Sequence, residues 1–380
     1  MSRLKGILLF WVSVPLLVSA QKEYKGRVLD AKTNTPIPYV NIGIVNKGIG
    51  TVTDEEGLFH LSMDAIKSFP DENILFSSLG YKPFKIPVSE IELVYNEYPV
   101  IKLSPEIVQL NEVVVTNAQG EFIDESIGYK NSGETIFGYW KDNVALGGQL
   151  ATRIMVKKGL RKLHELGFEI WSSTSDSVLL RINFYDVGSF GKPSKNLNTS
   201  RENILYTVKK GQRFADVDLR PFSVFAEDDF IVSLELLKVY GSDNLGLIMA
   251  AIQFDTDSFR KFSSQDEWET LPYSAMAFYL KSSVLVSGKA AERINRRNQR
   301  KKNNLPMISG FSIHRGKMIT NVSVRNIRTK ELVYTDVNGR YAIHAKYKDV
   351  LCFEKEGYET KCYETRKKST LNAQMYLAEK

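Results

Sequence analysis

Histidine and cysteine are scarce in this chain: its 380 residues include four of the first and two of the second. His60, His164, His314 and His344 form no HExxH, so the common zinc-hydrolase signature is missing. Cys352 and Cys362 have no histidine beside them, which makes a tetrahedral zinc site a poor reading. There is no GxSxG elbow, no P-loop and no GxGxxG after a strand. Those gaps remove the motif-bearing serine hydrolases, phosphate loops and dinucleotide folds. Gly147 and Gly148 stand alone and read as a turn or bulge. The residues nominate no catalytic group, no metal and no cofactor.

Long hydrophobic runs are also missing past residue 20, where nothing approaches the roughly 20 apolar residues of a membrane helix. The one such run, Gly6–Val18, follows Arg3 and Lys5 and ends at Val18-Ser19-Ala20. That is the plan of a secretory signal over residues 1–20, with cleavage expected after Ala20. The run is short for the alternative, a retained anchor, and no cysteine follows it to carry a lipid. The expectation is export.

Nor is positive charge spread through the chain. The net charge is +7, but Arg3 and Lys5 supply +2 and residues 289–302 supply +6, leaving the rest close to neutral. No folded domain then has the basic surface that nucleic acid requires. The basic run KAAERINRRNQRKK holds Arg293, Arg296, Arg297, Arg300, Lys301 and Lys302. It reads as a solvated linker over 288–308, or a helix; contact with lipid phosphates is the functional alternative.

What the chain has in quantity is β-forming texture. Short Val, Ile, Phe and Tyr runs are broken by Gly, Asn, Asp and Ser. Val40, Ile42 and Ile44 alternate with Asn41 and Gly43, the period of a half-buried strand. About seven such strands fall within residues 21–117, as in a small sandwich. Residues 53–59 read TDEEGLF and residues 335–341 read TDVNGRY. In each, an Asp can accept backbone N–H bonds, a Gly (Gly57 or Gly339) supplies φ > 0, and an aromatic two places on points inward. A calcium loop is the sharper reading of Asp54, Glu55 and Glu56, but the second copy has Val337 and Asn338 in place of the glutamates. Asp54, Gly57, Asp336 and Gly339 are therefore read as structural turn residues.

Both segments resemble the carboxypeptidase regulatory-like domain, a transthyretin-like sandwich. The first carries GRVLDAKTNTPIPYVNIGI, GTVTDEEGLFHL, ILFSSLGYKPFKIPV and LSPEIVQLNEVVV; the second, residues 309–380, is more divergent. The resemblance implies an exported protein of the Bacteroidota type, periplasmic or outer-membrane-associated. No transporter barrel follows, and His164 lacks the Glu three places on that a carboxypeptidase zinc centre would use, so neither activity carries over. The expected architecture is all-β: two seven-stranded transthyretin/Ig-like sandwiches flanking a jelly-roll-like sandwich at 135–287, with a linker at 118–134. Leu160–Glu165 could form a short helical turn. Cys352 and Cys362 sit symmetrically about Gly357-Tyr358 and would face each other across a hairpin, either bridged or as two thiols.

Two groups of side chains remain for a site in the middle domain. Asp228 and Asp229, with Asp266, Glu267 and Glu269, are the only clustered acids considered for glycan hydrolysis; solvated loop charge is their plainer reading. Trp140, Trp171 and Trp268 are weighed as rings that stack sugars, with Tyr139-Trp140 or Trp268 able to serve, against burial in the core. The favoured function is a non-enzymatic binding or scaffold protein of the envelope, recognising a protein or glycan. A glycan hydrolase, or an accessory of an outer-membrane transport or secretion assembly, is the alternative.

Overall fold

The computed structural model describes residues 23–91, 99–106, 120–133, 135–140, 145–241, 246–253, 257–303 and 306–378. The signal segment and the VQLNEVVV end of the resembling stretch lie outside these. The alternation read at Val40–Ile44 builds the first module, with strands β1 (Glu23–Asp30), β2 (Asn41–Ile44), β3 (Ile49–Val52), β4 (Leu58–Ser62), β5 (Asn73–Ser77), β6 (Phe84–Pro87) and β7 (Val100–Leu103), and one short helix, α1 (Met63–Lys67). They form a three-stranded sheet, β4-β1-β7, and a four-stranded sheet, β3-β2-β5-β6, with β7 parallel to β1. Val28, Ile42, Ile44, Phe59, Ile74 and Phe76 fill the space between the sheets.

The middle domain begins earlier than expected. Its strands are β8 (Gly120–Gly128), β9 (Phe137–Trp140), β10 (Gln149–Ile154), β11 (Arg161–Ser173), β12 (Ser177–Val187), β13 (Pro193–Asn196), β14 (Ile204–Lys209), β15 (Phe214–Asp218), β16 (Phe225–Ala226), β17 (Phe230–Tyr240), β18 (Leu247–Ile252), β19 (Ser258–Lys261), β20 (Glu269–Leu271), β21 (Ala275–Met276) and β22 (Tyr279–Ser287). One seven-stranded and one eight-stranded sheet enclose the largest core. The supposed linker at 118–134 supplies β8, paired with β22 from Tyr279↔Gly128 to Ser287↔Gly120. Its sequence, GEFIDESIG, looks like linker because only Ile123 is buried and the rest carries the charge that keeps edge strands soluble. The helical turn considered at Leu160–Glu165 is also strand: Leu163 and Leu166 both enter the core, across a bulge at His164.

The segment expected as a linker at 288–308 is a helix for most of its length, α2 (Gly288–Asn303), buried at Ala291. The last module follows: β23 (Met307–His314), β24 (Lys317–Met318), β25 (Ser323–Asn326), β26 (Leu332–Tyr334), β27 (Arg340–His344), β28 (Val350–Glu354), β29 (Lys361–Glu364) and β30 (Ala373–Gln374). Strand for strand its order repeats the first module, with β30 parallel on β23 and β26-β25-β28-β29 matching β3-β2-β5-β6. The two-residue β24 makes it eight strands rather than seven.

The repeated turn is the same object in both modules. Asp54 Oδ1 accepts from Glu56 N at 3.0 Å and Leu58 N at 2.8 Å; Asp336 Oδ1 accepts from Asn338 N at 2.9 Å and Arg340 N at 2.8 Å. Gly57 and Gly339 have φ of 72° and 71°, the left-handed region that a side chain disfavours. Thr53 and Thr335 hydroxyls each bridge from a backbone N–H to a carbonyl sixteen residues back, at Ile37 and Ile319. Phe59 packs edge-on against Phe76, and Tyr341 against Phe353. Cys352 and Cys362 are directly opposed on β28 and β29 and joined by a disulfide.

Each module caps the outer face of one middle sheet. Tyr39 and Val52 pack on Leu179 and Leu237 of the seven-stranded sheet, where Gly50 leaves room for the Ser264 carbonyl. The last module docks on the eight-stranded sheet through Arg325, which binds Asp216 and donates to the Tyr279 hydroxyl at 2.7 Å. Lys130 crosses this second interface, donating to Thr329 O at 2.7 Å. Burial, then the charges of Lys330, Lys281 and Arg325, push its ammonium down to about 8 from 10.5. A cation depressed in the folded state leaves the unfolded chain holding more protons above that value. Stability is therefore expected to rise from about pH 8 towards pH 10. Melting temperatures across that window should climb in the native protein and climb less in Lys130→Met. Equal slopes would remove Lys130 as the cause.

Candidate functional site

Strand periodicity decides which expected aromatic can meet a ligand. Along β9, Gly138 and Trp140 face the core while Phe137 and Tyr139 face outward. Trp140 is 1 % exposed among the core side chains, so it is corrected from a stacking ring to a packing ring. Tyr139 is half-buried, and Phe137 beside it is 47 % exposed. Trp171 joins them from β11, beside a bulge between Ile170 and Ser172. Its indole donates to Glu169 Oε1 at 3.2 Å.

These three rings form a strip on the outer face of the eight-stranded sheet. Phe137 lies 6.1 Å from Tyr139 and 6.2 Å from Trp171, centroid to centroid, with tilts of 52° and 54°. Arg260 covers Tyr139, its guanidinium 5.1 Å from the ring and Nη2 donating to Tyr139 O at 2.9 Å. The strip is thus a curved apolar track with one fixed cation, suited to a twisted chain of rings or to apolar side chains of a partner. Phe137 was missed in the sequence although IFGYW displays the alternation: two residues from Tyr139 along a strand is the same face.

Trp268 belongs elsewhere. It packs edge-on against Tyr185 and Phe259 beside the seven-stranded sheet, with Lys261 Nζ 4.7 Å from its ring centre. Burial lowers the Lys261 ammonium from its ordinary value. Trp268 is half-buried, with two rings packed edge-on against it and a cation over one face, and it lies apart from Tyr139.

The acids do not converge. Asp229 binds Arg153 at 2.9 Å and accepts from Val156 N at 2.7 Å; Asp228 caps the Asp229 N–H at 3.0 Å. Asp266 accepts from Gly48 and Glu267 N–H groups, and Glu267 pairs with Lys192 at 3.3 Å. Asp229 adjoins Phe230, opposite Ile154, whereas Glu269 faces Arg260, opposite Leu150. Five residues along and three strands across separate their backbones by roughly 22 Å. A glycosidase pair needs about 5–9.5 Å between carboxyl groups.

A groove of about 1120 Å³ runs where the eight-stranded sheet, α2 and the last module meet. Its walls are polar but largely matched: Glu165 pairs with Lys281 at 2.7 Å, Glu331 with His344 at 3.0 Å, and His164 meets Ser283 Oγ at 2.8 Å. His344 is mostly enclosed there. On α2, Arg293 and Arg296 are exposed, Arg296 pairing with Glu292 at 3.3 Å. The side chains of Arg297, Arg300, Lys301 and Lys302 lie outside the described residues.

No curated protein matches the chain. Among solved structures, the cysteine protease and lectin-like domains of a surface-layer-associated protein of Clostridium difficile are similar at 11 % identity and a TM-score of 0.29. That likeness covers 40 % of this chain and 37 % of the other. The major pilin subunit of Bacillus cereus is similar at 9 % identity, TM-score 0.15, over 94 % of this chain and 99 % of the pilin. Infectious bursal disease virus, Gt strain, is similar at 10 % identity, TM-score 0.24, over 70 % and 60 %. Likenesses this distant say nothing of ligand or activity. The model of the CarboxypepD_reg-like domain matches residues 24–115. The first module of this protein is therefore a CarboxypepD_reg-like domain.

Proposed function

We propose that this is an exported, non-enzymatic binding or scaffold protein of a Bacteroidota-type envelope, periplasmic or outer-membrane-associated. In this reading the last module is a second, divergent regulatory-like domain. Its support is the repeated strand order, the shared Asp and Thr hydrogen bonds and the paired turn glycines. The modules act as rigid caps that hold the middle sandwich in one orientation. The recognition surface is the strip of Phe137, Tyr139 and Trp171, and its partner is a glycan or an envelope protein. The observation that carries the reading is Phe137, a large ring 47 % exposed between two other aromatics on the outer face of the eight-stranded sheet.

Binding without bond-making concentrates affinity in a few aromatic anchors. The wild-type chain would be screened on immobilised glycans and on detergent-solubilised envelope, and the ligand found would be titrated against Phe137→Ala and Trp171→Ala. Each change is expected to weaken binding about tenfold or more, the effect of losing one anchor. Unaltered affinity in both would move the site away from the strip.

A further inference from the structure

One end of the seven-stranded sheet displays apolar side chains that contribute nothing to any core. The pairings Asp186↔Phe230, Ile154↔Phe230, Thr152↔Ser258 and Ser258↔Leu271 bring the end of β12, the start of β17, the end of β10, the start of β19 and the end of β20 to that end. The loops leaving it carry Phe190, 99 % exposed, Tyr273, 74 % exposed, and Met155, 50 % exposed. The Phe190 loop leans across the sheet: a Cβ on Gly191 would stand 3.1 Å from Asp257 Oδ2, just before β19. Phe190 and Tyr273 both hold left-handed backbone, at φ of 58° and 60°. Left-handed backbone is disfavoured for bulky residues and draws attention to function.

The loops are braced from beneath. Arg153 bonds to Asp229 at 2.9 Å and to Asp257 at 2.8 Å, tying two of them together and leaving the trio with a net charge of −1. The exposed charges left nearby are Lys157 and Lys158 against Asp186, Glu227 and Asp228, a net of −1. The positive excess comes from α2, which leaves the same end, where Leu285 N donates to Leu160 O at 2.9 Å. That helix carries seven basic residues against one acid.

We propose that this end of the molecule is a membrane-docking surface for an anionic bilayer, with Phe190, Tyr273 and Met155 entering the headgroup–acyl boundary and α2 meeting lipid phosphates. Separate protruding tips suit a bilayer, into which each ring sinks independently. A protein partner would need a matching pocket for each. Phenylalanine and tyrosine are the residues that partition into that boundary, and basic side chains answer its negative surface.

The test is co-sedimentation of the full chain with vesicles of about three parts phosphatidylethanolamine to one part phosphatidylglycerol, beside pure phosphatidylcholine vesicles. Phe190→Ser with Tyr273→Ser is expected to lower binding to the anionic vesicles about tenfold at every salt concentration. Lys289→Gln with Arg293→Gln and Arg296→Gln should lower it at low salt only. Because all five side chains are exposed, melting temperatures should stay at the wild-type value. No binding to anionic vesicles would overturn the proposal. So would binding that the serine pair leaves intact, whether or not the glutamines reduce it, since attraction by charge alone is then enough.

Discussion

Replacing Glu235 with alanine is expected to destabilise the middle sandwich by about 3–5 kcal/mol, the cost of stranding one member of a buried ion pair. The side chains of Arg181 and Glu235 are 6 % and 1 % exposed. The guanidinium grips both carboxylate oxygens, at 2.6 Å and 2.9 Å, and Asn183 adds a third bond at 2.8 Å. The remaining Arg181 nitrogen donates to Tyr39 O at 2.8 Å, across the interface with the first module. Alanine would leave a cation in the dark with only neutral acceptors in reach, Tyr39 O and Asn203 Oδ1, and would loosen the docking of that module. Urea unfolding should shift to a much lower midpoint, and proteolysis should begin between the first two domains. The double change Arg181→Met with Glu235→Leu should recover most of the loss, because attraction within such a pair roughly offsets its desolvation. A single variant within about 1 kcal/mol of wild type would mean that water reaches the pair.

Trp140→Ala is the second large effect, expected to cost about 3–5 kcal/mol as a large-to-small change in a packed core. Its ring lies among Leu150, Leu247, Met249 and Met276 and faces away from Phe137 and Tyr139. Stability, read by denaturant and near-ultraviolet circular dichroism, should fall with Trp140→Ala and barely move with Phe137→Ala. Ligand binding should respond the other way round, wherever enough Trp140→Ala protein stays folded to measure it. Equal stability losses in the two would make the strip part of the core. The pair of variants therefore separates packing from recognition on adjacent faces of one four-residue strand.

The end modules were legible because their information is local. A turn that needs Asp at one place and φ > 0 three residues later leaves a mark in any sequence, and it was read twice. The opposed cysteines were visible for the same reason, since hairpin symmetry is a matter of counting. Strand β8 was not legible: an edge strand buries one residue in nine positions and otherwise resembles polar linker. The strand at Leu163–Leu166 was obscured because a bulge at His164 breaks the period of two.

The candidate site was half visible. Tyr139 was found, but Trp140 was taken with it, although neighbours along a strand point to opposite sides. Trp171 depends on a bulge that only the paired strand reveals. Asp229 and Glu269 looked like candidates for one centre until sheet register set them far apart.

By itself, then, the order of residues determined the β class and the matching Asp–Gly turns near the chain's two ends, because alternation and turn chemistry act over a few neighbouring positions. Only the tertiary structure decided which modules cap which sheet, which aromatics stay in water and which loops share an end. Those outcomes depend on pairing between strands more than a hundred residues apart, and hydrogen-bond register between distant strands leaves no mark in the local sequence of either one.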